Sequence, residues 1–125
     1  MKKRAMMVCL LMGTMGMAMS ANAADDKVIG VSLMNLQYEF FQDLKAGIEE
    51  SLPDGYSIDF ADPNNDLNTQ ITQVENFCAS GVDAIILNAI DADGIVTALD
   101  TAEEAGIPVI TVDMKPSSGT YVTYI

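Results

Sequence analysis

The chain has 125 residues, half of them hydrophobic, and it carries 18 acidic side chains against six basic ones and no histidine. A chain of this length can form one ordinary domain with its own core. The absence of histidine removes the commonest general base and the commonest zinc ligand, which argues against most hydrolases and zinc enzymes. The acidic balance repels phosphate backbones and anionic lipid heads, so nucleic acid and membrane surfaces are not expected partners.

The first 23 residues have the pattern of a secretory signal peptide. Basic side chains at positions 2–4 precede an apolar stretch over residues 5–19, and the small residues ending at Ala23 fit a cleavage site. A membrane anchor needs about 20 apolar residues and different flanks. We therefore expect residues 1–23 to be removed during export, and we expect no membrane insertion of the mature part, residues 24–125.

The first half of the mature chain alternates between strand and helix patterns. A short apolar run over residues 28–34 predicts a strand, and apolar residues at helical spacing predict a helix over residues 40–52 that Pro53 ends. Residues 56–61 form the second predicted strand. The turn-forming cluster at residues 62–66 also supplies a cap for the next helix.

A second helical pattern begins at Leu67 and is closed by Gly81. Cys78 falls on its apolar stripe, which fits a small buried side chain better than a reactive thiol. The run at residues 83–88 is continuous, rich in branched residues and too short for a helix. Such a run is typical of a strand that is buried on both faces.

The last third of the chain repeats the alternation. Asp91 or Asp93 can cap a third helix, which Gly106 ends, and strands are predicted at residues 109–112 and 121–125. Strands joined by helices through tight connections lie parallel.

The element order predicts a doubly wound, mostly parallel α/β sheet with helices on both faces, a three-layer α/β/α architecture. The last predicted strand stops inside an apolar run, and no helix follows it to cover the sheet. We therefore expect the sequence to be truncated and the natural chain to continue past Ile125.

Polar side chains at the carboxyl ends of the strands are the first candidate site, because ligands bind at that edge of an open parallel sheet. They can accept bonds from the hydroxyls of a neutral polyhydroxylated ligand, or they can hold Mg²⁺ for phosphoryl transfer. The chain has no Gly-rich phosphate loop, which favours the first interpretation. We expect Asp62, Asp91 and Asp93 to be turn and helix-cap residues, and Asn88 and Asp113 to face the ligand.

An aromatic group follows the first strand and is the second candidate site. Tyr38, Phe40 and Phe41 lie within four positions of one another. Rings at a site edge suit the C–H face of a sugar. Neighbouring helical residues point about 100° apart, so Phe40 and Phe41 cannot both face the sheet squarely.

Several stretches resemble a known family when they are taken in order. They are VIGVSLM followed by a Phe-Phe pair, DPNND, SGVDAIILNAIDAD, AGIPVITVD and YVTYI. With these motifs the mature sequence resembles the periplasmic sugar-binding proteins of the ribose and galactose type, the receptors of ATP-driven sugar importers. The resemblance implies two similar lobes that close on a sugar, and residues 24–125 would be the N-terminal lobe.

The resemblance also implies a set of ligand contacts. The family's serine, aromatic pair and aspartate fall on Ser32, on Phe40 and Phe41, and on Asp113. Met114 stands where ribose-type members have an arginine. The bidentate guanidinium contact is therefore missing, which argues against ribose and leaves another polyol, a larger sugar or a less polar ligand.

These expectations combine into one function. The protein is expected to be a periplasmic solute-binding protein, not an enzyme, that captures a sugar or polyol without a cofactor or metal and delivers it to the membrane permease of an ABC transporter. One alternative is a sensor of the same fold that serves a chemoreceptor or sensor kinase. The other is an exported Mg²⁺-dependent enzyme that uses the strand-end carboxylates.

Overall fold

The computed structural model describes residues 26–125, and the predicted signal peptide over residues 1–23 lies outside this range. The helices are α1 (Glu39–Glu50), α2 (Leu67–Ser80) and α3 (Val96–Glu104). The strands are β1 (Lys27–Ser32), β2 (Tyr56–Ala61), β3 (Ala84–Leu87), β4 (Val109–Thr111) and β5 (Thr123–Tyr124).

The strands form one parallel sheet in the order β2-β1-β3-β4-β5. The chain first moves outward from β1 to β2, then returns to the other side of β1 and continues outward through β3, β4 and β5. The direction of winding therefore reverses between β1 and β3. In doubly wound sheets this reversal opens a crevice at the carboxyl ends of the two strands. The predicted parallel α/β architecture is confirmed.

The core lies on both faces of the sheet. On one face, Val74 and Phe77 of α2 and Leu99 of α3 pack with the sheet residues Ile85 and Leu87. On the other face a second group packs, and its buried members are Val31, Leu33, Phe41 and Val112. Side chains alternate between the faces along each strand, so one sheet supplies both clusters and the fold has three layers.

Gly30 shows how closely α2 approaches the sheet. A Cβ atom added at Gly30 would lie 2.7 Å from the ring of Phe77. Only a residue without a side chain leaves room for this ring at the centre of β1.

The ends of α2 follow the predicted signals. The Asp66 carboxylate accepts a 2.6 Å hydrogen bond from the backbone N–H of Thr69, and Gly81 ends the helix with φ 74°. Such a positive φ favours glycine.

The start of α3 differs from the prediction. The Asp91 carboxylate accepts hydrogen bonds from the N–H groups of Asp93 (3.1 Å) and Gly94 (2.6 Å). Asp91 therefore closes a turn, and the helix itself begins only at Val96 without a side-chain cap.

Most of the strands are shorter than predicted. The predicted first strand runs to residue 34, but β1 ends at Ser32, because the N–H of Met34 bonds to a side chain instead of a neighbouring strand. The predicted last strand spans residues 121–125, but only Thr123–Tyr124 pair as β5. β5 is an edge strand, and the flanking side chains of Val122 and Ile125 remain exposed.

An open apolar depression of about 600 Å³ lies between α1 and the sheet. Its wall includes Leu44 and Ile48 from α1 and Leu52 just after it, with Ile29 and Ile86 from the sheet. This part of α1 returns toward the amino ends of the strands, so the depression lies away from the crevice at their carboxyl ends. No helix within residues 26–125 is both long and apolar enough to cross a membrane.

Candidate functional site

Asn88 joins the carboxyl ends of three strands. Its side chain is fully buried, and its amide nitrogen donates to the carbonyl of Val112 (3.0 Å) and to the carboxylate of Asp113 (3.2 Å). Its amide oxygen accepts from the N–H of Met34 (3.2 Å), and its own N–H donates to the carbonyl of Ser32 (2.9 Å). The residues that follow β1 and β4 are thereby tied to the end of β3, at the reversal of the winding.

Gln70 of α2 holds the backbone of Asn88 from the face of the sheet that α2 covers. Its amide nitrogen donates to the backbone carbonyl of Asn88 (2.8 Å) and to the hydroxyl of Ser32 (3.2 Å), and its amide oxygen accepts from the N–H of Ile90 (3.0 Å). The Ser32 hydroxyl in turn donates to Gln73 (3.0 Å). Gln70 and Ser32 are fully buried, so these bonds form in a low-dielectric interior where an unpaired polar group is costly.

Asp113 has an unusual backbone conformation at the tip of the sheet. Its φ is 64°, and the N–H of Met114 donates to the carbonyl of Val112 across it (2.7 Å). A hydrogen bond between residues i and i+2 around a positive φ is a γ-turn, which is rare and strained. A residue held in such a conformation costs on the order of 1–3 kcal/mol, and strain of this kind clusters at functional sites.

The Asp113 carboxylate is open to solvent and lightly engaged. One of its oxygens accepts from Asn88, and within residues 26–125 the other has no hydrogen-bond partner. Neither of the salt bridges formed in that same part of the chain involves it. The carboxylate can therefore accept hydrogen bonds from an incoming ligand.

The three predicted aromatic residues form one group beside this edge. Phe41 is 7% exposed and packs in the same core cluster as Val112, the residue before Asp113. The rings of Phe40 and Phe41 meet edge to face at 5.0 Å, and those of Tyr38 and Phe41 at 6.4 Å. Phe40 and Tyr38 are 58% and 57% exposed. The expectation that Phe40 and Phe41 point in different directions is confirmed.

The other strand-end carboxylates have structural partners. Asp62 accepts from the N–H groups of Asn64 (2.8 Å) and Leu36 (3.3 Å), which ties the loop after β1 to the loop after β2. Asp91 closes the turn before α3, so the prediction of turn roles is confirmed for both residues. Within residues 26–125, no three cysteine or acidic side chains are grouped so that they could hold a metal ion.

The groups with perturbed pKa values have structural explanations too. The hydrogen bond from Lys27 (2.7 Å), followed by that from the N–H of Val28 (2.9 Å), lowers the pKa of Asp83. The backbone N–H of Thr69 lowers the pKa of the helix cap Asp66. Burial, with a smaller contribution from the nearby Glu75, raises the pKa of the Cys78 thiol, which makes it a poor nucleophile.

The structure thus brings Asn88 and Asp113 into contact and gathers Tyr38, Phe40 and Phe41 beside them. Ser32 lies beneath the edge, with its hydroxyl engaged by two glutamines.

Two residues that the sequence analysis missed also take part. Gln70 is a polar residue on the buried stripe of α2, between Leu67 and Val74, and that position is a signal that could have found it. The hydroxyl of Tyr124 donates to the backbone carbonyl of Asp113 (2.9 Å), and no local pattern indicates this contact.

The parallel sheet in this strand order has the architecture of an open α/β lobe, and its polar network and exposed rings lie at the reversal of winding, where such sheets commonly bind ligands. The sequence matches the periplasmic binding protein domain over residues 29–125. The chain therefore belongs to the family of periplasmic binding proteins.

Comparison with individual proteins gives the same family. The chain is 35% identical over 111 residues to the ribose import binding protein RbsB of Bacillus subtilis, covering 86% of this chain and 36% of that protein. It is 34% identical, with a TM-score of 0.71, to an ABC transporter solute-binding protein from Bacillus halodurans solved with bound myo-inositol, over 78% of this chain and 34% of the other. It is 30% identical, with a TM-score of 0.73, to the fructose-binding periplasmic domain of a hybrid two-component system, over 79% and 33%. The chain spans about a third of the length of each of these relatives.

Proposed function

We propose that the chain is the N-terminal lobe of a periplasmic solute-binding protein that captures a sugar or polyol and delivers it to the membrane permease of an ABC importer. The observation that carries this proposal is the exposed Asp113 carboxylate, which sits at the tip of β4 on the same edge as the exposed rings. Ribose and myo-inositol, the ligands named for two of its relatives, are neutral and rich in hydroxyl groups. The proposal includes export by the predicted signal peptide over residues 1–23.

Each group at the edge has a distinct task in this proposal. Asp113 accepts hydrogen bonds from ligand hydroxyls, and a carboxylate can accept from two neighbouring hydroxyls at once. Phe40 and Tyr38 cover the apolar C–H faces of the ligand, while Phe41 supports them from the core. Ser32 and Asn88 are buried and already hydrogen-bonded, so they act by holding the edge in shape.

The carboxylate at the edge disfavours an anionic ligand. Asp113 carries a negative charge without a salt-bridge partner among residues 26–125, and the chain has few basic residues to compensate it. An anionic ligand would therefore be repelled at this edge. No bond has to be made or broken for capture and delivery, so the proposed protein is not an enzyme.

The lobe supplies one side of the binding site. Tight binding requires a second set of contacts that excludes water from the ligand, and in the proposed protein a second lobe provides them. We therefore expect residues 24–125 by themselves to bind no sugar tightly.

The proposal is tested with the full-length protein that the gene encodes. A thermal-shift screen with ribose, fructose, xylitol and myo-inositol identifies a ligand, and calorimetry then compares the wild type with Asp113→Asn and Phe40→Ala. Loss of a charge-assisted hydrogen bond costs about 1.5–3 kcal/mol, so Asp113→Asn should weaken binding roughly ten- to a hundredfold. Asp59→Asn, which neutralises an exposed carboxylate on β2, is the matched control. Unchanged affinity in both site variants would show that the ligand binds elsewhere.

A sensor protein is the second candidate. The observation that favours it is the similarity to the fructose-binding periplasmic domain of a hybrid two-component system. The ligand site is the same in both cases, and only the partner differs. A pull-down from membranes that contain the permease or the receptor encoded beside the gene separates the two: capture of the permease supports the importer, and capture of the receptor alone supports the sensor.

A further inference from the structure

The backbone of Asp113 needs an external constraint to keep its conformation. No glycine or asparagine occupies the position, although φ is 64° and the residue forms a strained γ-turn. An L-residue in this region relaxes toward a negative φ unless the surrounding structure holds it. Relaxation would rotate the carboxylate away from its present position.

The constraint comes from the end of the chain that the structure describes. The N–H of Asp113 donates to the carbonyl of Ile125 (2.8 Å), and the hydroxyl of Tyr124 donates to the carbonyl of Asp113 (2.9 Å). The peptide groups on both sides of the Asp113 Cα atom are thus held by two consecutive residues. With both peptide groups fixed, φ cannot change without breaking one of these bonds.

The third hydrogen bond acts on the side chain. Asn88 donates to one oxygen of the Asp113 carboxylate (3.2 Å), and this leaves the other oxygen for a ligand. The amide of Asn88 can reach the carboxylate only while the backbone of Asp113 keeps its present conformation. Its hydrogen bond to the Asp113 side chain therefore reports on the constraint imposed by Tyr124.

We propose that Tyr124 is a positioning residue for ligand binding: its hydroxyl holds Asp113 in the γ-turn that aims the carboxylate at the ligand crevice. This role rests on the proposed function, because it matters to binding only when Asp113 contacts the ligand. β5 is only two residues long, and this role connects it to the ligand site as well as to the edge of the sheet. Tyr124 is 43% exposed, so packing alone does not explain a tyrosine at this position.

The first experiment tests the positioning without any ligand. Tyr124→Phe removes one oxygen atom, and Tyr121→Phe is the matched control, because within residues 26–125 the Tyr121 hydroxyl has no hydrogen-bond partner. In ¹⁵N-edited NMR spectra, we expect Tyr124→Phe to shift the Asn88 side-chain amide signals. We also expect it to speed exchange of the Asp113 amide proton about fivefold, because the turn opens more easily once the neutral hydrogen bond to the Asp113 carbonyl is lost. Tyr121→Phe should leave both signals in place. Asn88 and Asp113 signals that respond equally weakly to both variants would overturn the proposal.

The second experiment measures ligand binding by the full-length protein that the gene encodes. With whichever of ribose, fructose, xylitol or myo-inositol it binds, Tyr124→Phe should weaken affinity about fivefold and Asp113→Asn still more. The melting temperature should stay the same in Tyr121→Phe and fall by no more than a few degrees in Tyr124→Phe, since neither ring is lost and Tyr124→Phe removes one hydrogen bond. If Tyr124→Phe moves the Asn88 signals while Asp113→Asn leaves affinity unchanged, the positioning is supported and the proposed ligand contact is wrong. If the Asn88 signals do not move, the positioning is wrong whatever the affinity.

Discussion

Replacing Gln70 with methionine is the most direct test of the polar network beneath the candidate site. Methionine has nearly the same volume but makes none of the three hydrogen bonds that Gln70 makes with Asn88, Ser32 and Ile90. The Ser32 hydroxyl keeps Gln73 as a partner, but the buried carbonyl of Asn88 and the partly buried N–H of Ile90 lose theirs. An orphaned buried polar group costs about 1–3 kcal/mol, and water can reach Ile90 in part, so we expect a loss of about 2–4 kcal/mol in the free energy of unfolding.

Urea denaturation followed by circular dichroism measures this loss as a lower midpoint at unchanged slope. Gln73→Met is the matched control, because Gln73 makes a single side-chain bond, to Ser32, and its replacement should cost less than about 1 kcal/mol. A cost below about 1 kcal/mol for Gln70→Met would refute the argument, since it would mean that neither backbone group depends on Gln70. Equal costs for the two variants would refute it as well.

Three further predictions concern packing and titration. Phe41→Ala should cost about 3–5 kcal/mol in urea denaturation because its ring is buried, whereas Phe40→Ala should cost less than about 1 kcal/mol; equal costs would contradict the division of roles between the rings. Folding lowers the pKa of Asp83 from 3.8, so its bonds with Lys27 and Val28 stabilise the fold above about pH 4 and this contribution is lost as the pH falls through the lowered value. Asp83→Asn should therefore flatten the fall in melting temperature below pH 4, and an unchanged pH profile would contradict this assignment. Burial raises the pKa of Cys78, so the Cys78 thiol should react with a thiol reagent at pH 8 more slowly in the folded protein than in the urea-unfolded chain, and equal rates would contradict this assignment.

The apolar depression beside α1 bears on self-association of the chain in solution more than on ligand binding. Ile48, Leu52 and Ile86 line it and are only partly buried, on a face of the sheet that the described residues leave partly uncovered. Open apolar surfaces of this kind promote association. Its distance from Asp113 separates it from the site at the carboxyl ends of the strands.

The amino-acid sequence by itself determined the layers and the edge on which the site lies. Buried strands are short continuous apolar runs and helices carry apolar stripes, so the alternation of the two patterns was enough to predict a parallel three-layer sheet. A parallel sheet places every strand's carboxyl end on one edge, which is why the sequence alone predicts that Asn88 and Asp113 lie together. The 100° between neighbouring helical positions likewise separated Phe40 from Phe41.

Only the tertiary structure decided how these residues are held. Gln70 reaches Ser32 and Asn88 across 38 and 18 positions of the chain, and Tyr124 reaches Asp113 across 11. Hydrogen bonds form within about 3 Å and at restricted angles, so they depend on how α2 and β5 settle against the sheet, which no local pattern encodes. The strained φ of Asp113 has the same origin: aspartate has no strong preference for it, and bonds from distant residues impose it.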